Sequence, residues 1–269
     1  MAHLSYSQVE TLLTCGEKYR LTRIVGIPED PAWWFLGGSA VHTATEKHDL
    51  GVDAPAEDLF ASALLEQMAE LPDGAAIRAS GRATKEWPGG EDEAWWRHHG
   101  PQFVQAWIDW RAKNPNLQLA DINGQPAVEV AVAARTHNSV DLKGYIDRIF
   151  QDTESGDLLI VDLKTGRNAP SSSLQMDFYR YSLQHTLGLQ ARHGGFWMAR
   201  QGVISKIHDL WRTDAQIEDM LHKSRILIDN DIFIPHLGML CGSCGVKEFC
   251  SAYTPGLSTH TVIDREVLA

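Results

Sequence analysis

The sequence predicts an α/β fold: a mixed central sheet flanked by helices, with a helical insertion ahead of the sheet. Three observations predict it. Two apolar runs, Leu142–Phe150 and Leu158–Leu163, flank a polar turn holding Asp152, Glu154, Ser155, Gly156 and Asp157, which is a β-hairpin pattern. Helical periodicity dominates before this hairpin, whereas strand and helix patterns alternate after it. Cys15 near the start and a C-x2-C-x5-C run (Cys241, Cys244, Cys250) near the end mark a shared thiol site.

The hairpin carries charges that a plain core strand would not hold. Side chains alternate faces along a strand, so Asp162 and Lys164 project to one side and Val161 and Leu163 to the other. Asp147 shares a face with Tyr145 and Ile149 on the partner strand. Unpaired buried charge is costly. A divalent cation between the carboxylates would compensate it, because hard cations take carboxylate oxygens. The plainer alternative is an ion network in which Lys164 pairs with Asp162 or Asp147.

Length and composition bound the answer. A chain of 269 residues holds one large domain or two small ones, and 43% hydrophobic residues suffice for a real core. No apolar run reaches the length of a membrane-spanning helix, and MAHLSYSQVETLL carries too many polar residues for a signal peptide. A cytoplasmic setting without membrane contact is the expectation. The formal charge of −11 argues against nucleic acid as a partner unless cations and a local basic groove face the phosphates.

The four cysteines are all accounted for by Cys15 plus the late cluster. A reducing compartment disfavours disulfides. Zinc and an iron–sulfur cluster both accept four thiolates. Structural zinc more often pairs two short knuckles, so the three-plus-one split suits a cubane tying the chain ends together.

In chain order, Ser5 with Gln8 and Ser7 with Glu10 form nested capping boxes, predicting a helix over 8–19 that presents Cys15. Lys18, Arg20 and Arg23 suit its C-terminal end. Residues 28–38 read as a loop, after which Gly37-Gly38-Ser39 opens a helix from Ala40 to about His48. On that helix His42 and Glu46 share a face, making His42 a candidate metal ligand. Residues 51–115 read as all-helical, broken at Pro72-Asp73-Gly74, with a second long helix over 91–113 in which Gly100-Pro101 is a candidate interruption. Trp96, Phe103, Trp107 and Trp110 fall at helical spacing; a core stripe is the weightier reading, and base-stacking platforms the other. Ala127–Val132 alternates as a strand, giving three successive strands with the hairpin. Residues 171–185 form the next helix, with Gln175 and Tyr179 on one face. Residues 193–199 and 204–211 read as strands, and 214–230 as a helix before the cysteines and a tail without periodicity. The chain reads as a single domain over 1–269: N-terminal helices (1–50), helical insertion (51–115), core (125–212), and a C-terminal helix with the cysteines (213–269). No G-x4-G-K-[ST] loop is present, so the chain carries no such nucleotide motor.

The ordered set Gly38-Ser39-Ala40-Val41-His42, Gly144-Tyr145-Ile146-Asp147-Arg148, Val161-Asp162-Leu163-Lys164-Thr165-Gly166 and Gln175-Met176-Asp177-Phe178-Tyr179 resembles the PD-(D/E)XK nucleases, in their RecB-type branch. These segments correspond to its G-x-x-x-H, G-x-x-D, D-x-K-T-G and Q-x-x-x-Y elements. The cysteine layout resembles the iron–sulfur subset that includes AddB-type and CRISPR-associated stand-alone exonucleases. Ile146 stands where the family name has proline, and Asp162 where other members have glutamate.

The resemblance implies a restriction-endonuclease-like core and a metal-dependent DNA exonuclease, acting on single-stranded ends with 5′-to-3′ polarity. Its settings would be recombination, repair, phage replication or CRISPR adaptation. It implies His42, Asp147, Asp162 and the backbone carbonyl of Leu163 as ligands for Mn2+ or Mg2+. Lys164 would lie beside the attacking water, Gln175 and Tyr179 would orient phosphate or Lys164, and Glu46 and Glu129 would stand behind the ligands. Cys15, Cys241, Cys244 and Cys250 would hold a [4Fe–4S] cluster. The competing class is a catalytically weak DNA-binding or adaptor module serving a helicase or integrase.

Overall fold

Short sequence periods translate directly into the elements of the computed structural model, which describes residues 3–72 and 74–257. Asp73 of the expected break and the tail from 258 onward lie outside the described residues. Helices α1 (Tyr6–Thr14), α2 (Gly16–Tyr19) and a π-helical segment (Arg20–Val25) come first. Helices α3 (Trp33–Asp49), α4 (Ala56–Ala69) and α5 (Glu93–Lys113) follow. Then come β1 (Leu117–Leu119), β2 (Asp121–Ile122), β3 (Gln125–Pro126), β4 (Val128–Arg135), β5 (Asp141–Asp152) and β6 (Leu158–Lys164). Helix α6 (Leu174–Leu187), strands β7 (Ala191–Met198) and β8 (Val203–Asp209) and helix α7 (Asp214–Asp229) complete the regular elements, before two 3-10 turns at Met239–Ser243 and Lys247–Phe249. The chain divides into two units: Met1–Asp30, Arg135–Leu142 and Asp214–Ala269 form one; Pro31–Ala134 and Lys143–Thr213 form the other.

The larger unit is built on a six-stranded mixed sheet of order β1-β5-β6-β7-β8, with β4 also paired to β5. β5 and β6 are the antiparallel hairpin strands, in register Arg148↔Val161 to Gln151↔Leu158. β6 and β7 run parallel, joined by α6. Period-two alternation sends Leu159, Val161 and Leu163 into a core with α3, α4 and α5, while Ile160 faces a second core with Met176 and Leu183 of α6. Trp96, Phe103, Trp107 and Trp110 are all buried in the first core, so this aromatic stripe is packing.

Two helical expectations shift. α3 begins at Trp33, so Gly37 and Gly38 are helix interior and not a loop before it. The reason is contact: a Cβ on Gly37 would fall 2.1 Å from the Trp96 indole, so glycine lets α5 press against the α3 backbone. α5 also runs unbroken through Gly100-Pro101. A Cβ on Gly100 would meet the Phe60 ring at 2.1 Å, and this packing against α4 outweighs the lost proline N–H. The strands β1, β2 and β3 are additions that short polar segments did not announce.

In the smaller unit Ser5 Oγ accepts the Gln8 N–H at 3.3 Å, capping α1. The predicted single helix over 8–19 is interrupted at Cys15, whose backbone is extended (φ −160°). Gly16 N–H then donates to Ile234 O at 2.9 Å, and a Cβ there would collide with that segment at 2.6 Å. Leu21, Ile27 and Val246 form a small core against which Cys244 and Cys250 pack. Among the described residues no helix is long and apolar enough to cross a membrane.

Candidate metal centre

The centre lies where the β5–β6 ladder ends. The last paired residues are Arg148 and Val161. Beyond them Asp147 replaces the backbone partner with its side chain, and its Oδ2 accepts the Leu163 N–H at 2.8 Å. Helix α3 brings His42 to the same point: Nε2 lies 3.1 Å from Leu163 O, and Nδ1 3.4 Å from Asp147 Oδ2. Glu129 arrives from β4, where its left-handed backbone (φ 47°) breaks the strand alternation. Ligand atoms of His42, Glu129 and Asp147 all fall within 4.8 Å of one another, the one such grouping among the described residues.

Asp162 heads an adjoining cluster. It is 2% exposed; Gln175 Nε2 donates to its Oδ1 at 2.6 Å and Tyr179 O–H at 3.3 Å. Lys164 Nζ stands 2.6 Å from Oδ2, although Oδ2 has no partner in hydrogen-bond geometry. Gln175 and Tyr179 also bond each other at 2.8 Å, the i, i+4 relation on α6.

The electrostatics show an acid cluster short of positive charge. Burial, followed by the Asp147 charge, pushes Glu129 up to about 7, against His42 and Arg148. Burial and the Asp147 charge likewise push Asp162 up to about 6, against Lys164. Burial and the two aspartates raise Tyr179 well above its ordinary value.

The structure therefore brings His42, Asp147, Leu163 and Glu129 together, and Asp162, Lys164, Gln175 and Tyr179 beside each other. Glu46 is outside the ligand grouping, although its charge acts on Glu129. In the smaller unit Cys15, Cys241, Cys244 and Cys250 line one cavity with Leu21, Pro235 and Val246, and His236 N–H points to Cys15 Sγ at 3.5 Å. Sequence reasoning gave no role to Arg148. Its guanidinium is fully buried, bonded to Asp49 Oδ2 at 2.6 Å and to Asp147 O at 2.7 Å, and lies 3.5 Å from Glu129 Oε1. Its position directly after Asp147 was the available signal.

A family model described as the PD-(D/E)XK nuclease superfamily matches residues 3–251. The chain belongs to that superfamily. Membership in the PD-(D/E)XK nucleases implies a hydrolytic enzyme that uses divalent metal ions and takes DNA as substrate. The donor set agrees: two carboxylates, an imidazole and a nearby carbonyl suit a hard or borderline divalent cation, and the buried Asp162 carboxylate with Lys164 adjoins it. The chain is also similar to the Gene 69 protein of Mycobacterium phage D29, 25% identical with 93% of this chain and 96% of that protein covered. The Gene 69 protein of Mycobacterium phage L5 is 26% identical over the same shares. Among solved structures, that of SSO0001 covers 91% of this chain and 96% of its own at a TM-score of 0.36 and 12% identity, a likeness too slight to argue from.

Proposed function

We propose that this PD-(D/E)XK nuclease is an exonuclease that degrades single-stranded DNA ends with 5′-to-3′ polarity in a cytoplasmic setting. One observation carries the metal-dependent cleavage in this reading: an imidazole-carboxylate grouping (His42, Glu129, Asp147) adjoins the Asp162–Lys164 ion pair at the end of one strand pair; the exonuclease action on single strands and the polarity follow from the resemblance to RecB-type nucleases. Both similar proteins come from mycobacteriophages, which favours a phage setting among those the resemblance implies.

His42, Asp147, Glu129, Asp162 and the Leu163 carbonyl would hold Mn2+ or Mg2+; when bound, the ion neutralises phosphate charge and lowers the pKa of water. Hydrolysis adds water oxygen to phosphorus and releases the sugar oxygen. Lys164 Nζ, held by Asp162, donates a hydrogen bond that aligns the attacking water and steadies charge on the phosphoryl oxygens. Gln175 and Tyr179 fix the Asp162 carboxylate from the other side, so that Lys164 keeps its direction. Glu46 tunes the charge on Glu129.

We propose further that the four thiols hold a [4Fe–4S] cluster. They line one cavity, and their three-plus-one split along the chain suits a cubane better than the paired short knuckles of structural zinc. An anaerobically purified protein should be brown and carry iron, and Cys244→Ala colourless with a lower melting temperature; a colourless wild type containing zinc overturns the cluster.

Digestion of end-labelled linear and circular single strands with Mn2+ tests the activity. Stepwise loss of the linear strand with circles left intact is expected. Cut circles would make the enzyme an endonuclease, and no cleavage with any divalent metal would end the nuclease reading.

A further inference from the structure

Arg167 lies three residues after Lys164, in the loop that leaves β6. Its Nε and Nη2 both donate to Glu91 Oε1, at 3.1 and 2.7 Å. Arg200 grips the same carboxylate through Nη1 (3.2 Å) and Nη2 (2.9 Å), and its Nε donates to Thr165 O at 2.9 Å. Glu91 is 6% exposed, so one buried anion holds two guanidinium groups and leaves one positive charge in excess. The Arg167 side chain is still 61% exposed, and its Nη1 edge is not used by Glu91. A guanidinium pinned on one edge and open on the other is preorganised for an anion. In a chain of formal charge −11 this local excess stands out.

The neighbouring helix face supplies the complementary half. Phe35, Gly38 and His42 follow at i, i+3 and i+7 on α3 and so share one face. A Cβ on Gly38 would sit 3.1 Å from Thr165 Oγ1, so this face abuts the loop carrying Arg167. Phe35 is 65% exposed, two turns before His42. Beside it Trp34 is partly exposed with the Arg78 guanidinium 5.1 Å from its ring centre. An exposed aromatic on the helix face that abuts the loop carrying a pinned guanidinium matches a single strand, whose unstacked bases offer π-faces and whose backbone offers phosphates.

We propose that Arg167 holds a backbone phosphate and Phe35 stacks a base of the single strand entering the metal centre. This rests on the nuclease reading and names the residues that position its substrate. Arg167 and Phe35 act on binding, not on the bond being broken.

The test is fluorescence anisotropy with a labelled oligothymidylate and an abasic strand of equal length, in EDTA over a salt series, alongside Mn2+-dependent cleavage. Phe35→Ala should weaken binding about tenfold on oligothymidylate and leave the abasic strand unchanged. Arg167→Gln should weaken both strands and flatten the salt slope by about 0.7. Arg167→Lys should recover the slope but not the full affinity. In cleavage, KM should rise with kcat little changed. If wild type cleaves and both variants bind both strands as tightly as wild type, the strand-holding proposal fails while the nuclease reading stands. If wild type neither binds nor cleaves, both fail.

Discussion

Asp147 and Leu163 are joined by a side chain standing in for a strand: the carboxylate Oδ2 accepts the Leu163 N–H at 2.8 Å where the β5–β6 ladder stops. The same carboxylate is thus structural and, on our reading, a ligand. Asparagine keeps an oxygen acceptor for that N–H but removes the charge. Asp147→Asn should therefore keep its far-UV dichroism and melt within a few degrees of wild type, while cleavage falls at least ~100-fold. Unimpaired cleavage would separate Asp147 from the chemistry.

Lys164 stands 2.6 Å from Asp162 Oδ2 and is part-exposed. Replacing it with methionine keeps the stem and removes the donor. Cleavage should drop by about 10² to 10³-fold in single-turnover assays, the usual range for a lost donor to charge developing at the reacting centre. A variant within a few-fold of wild type would make the ion pair merely structural.

Arg148 ties the centre to the helical layer. It meets Asp49 at 2.6 Å and Thr45 at 3.3 Å on α3, and Trp107 Nε1 from α5 donates to the same Asp49 oxygen at 3.1 Å. Arg111 Nε lies 3.4 Å from the other Asp49 oxygen, so losing Arg148 takes away one of that carboxylate's two cations. Arg148→Met should destabilise the fold by about 3 kcal/mol in urea denaturation, and with Asp49→Asn the combined loss should be smaller than the sum of the two single losses. Additive losses in the double variant would mean that the two residues are not coupled.

Glu91 gives a pH signature. Burial raises its carboxyl, but hydrogen bonds and charge from Arg200 and Arg167 hold it net below the ordinary 4.5. A folded-state value below the unfolded one contributes stability above about 4.5 that is lost as pH falls through the depressed value. The melting temperature of wild type should therefore fall more between pH 5 and pH 3 than that of Glu91→Gln. Parallel pH curves for the two proteins would contradict the ion network.

The hairpin, the crossover helix and the Gln175–Tyr179 pair were legible because each follows from a two-residue or 3.6-residue period that local sequence carries. The start of α3 was not, since Gly37 and Gly38 read as a breaker until Trp96 is known to fill the space that Gly37 leaves. β1 was hidden because three residues carry no period, and its place is set by the long partner β5. Glu129 reads from the sequence as lying behind the ligands; in the structure its carboxylate falls within 4.8 Å of the His42 and Asp147 ligand atoms, on a residue whose φ of 47° departs from the extended backbone of a strand. The Glu91–Arg167–Arg200 assembly joins residues far apart in sequence, and no local pattern marks it.

Mn2+ binding followed by electron paramagnetic resonance tests most directly whether His42, Glu129 and Asp147 hold a cation. Wild type should bind in the absence of DNA, and Glu129→Gln and His42→Ala at least about tenfold more weakly. Folded Glu129→Gln and His42→Ala proteins that bind Mn2+ as tightly as wild type would contradict the account.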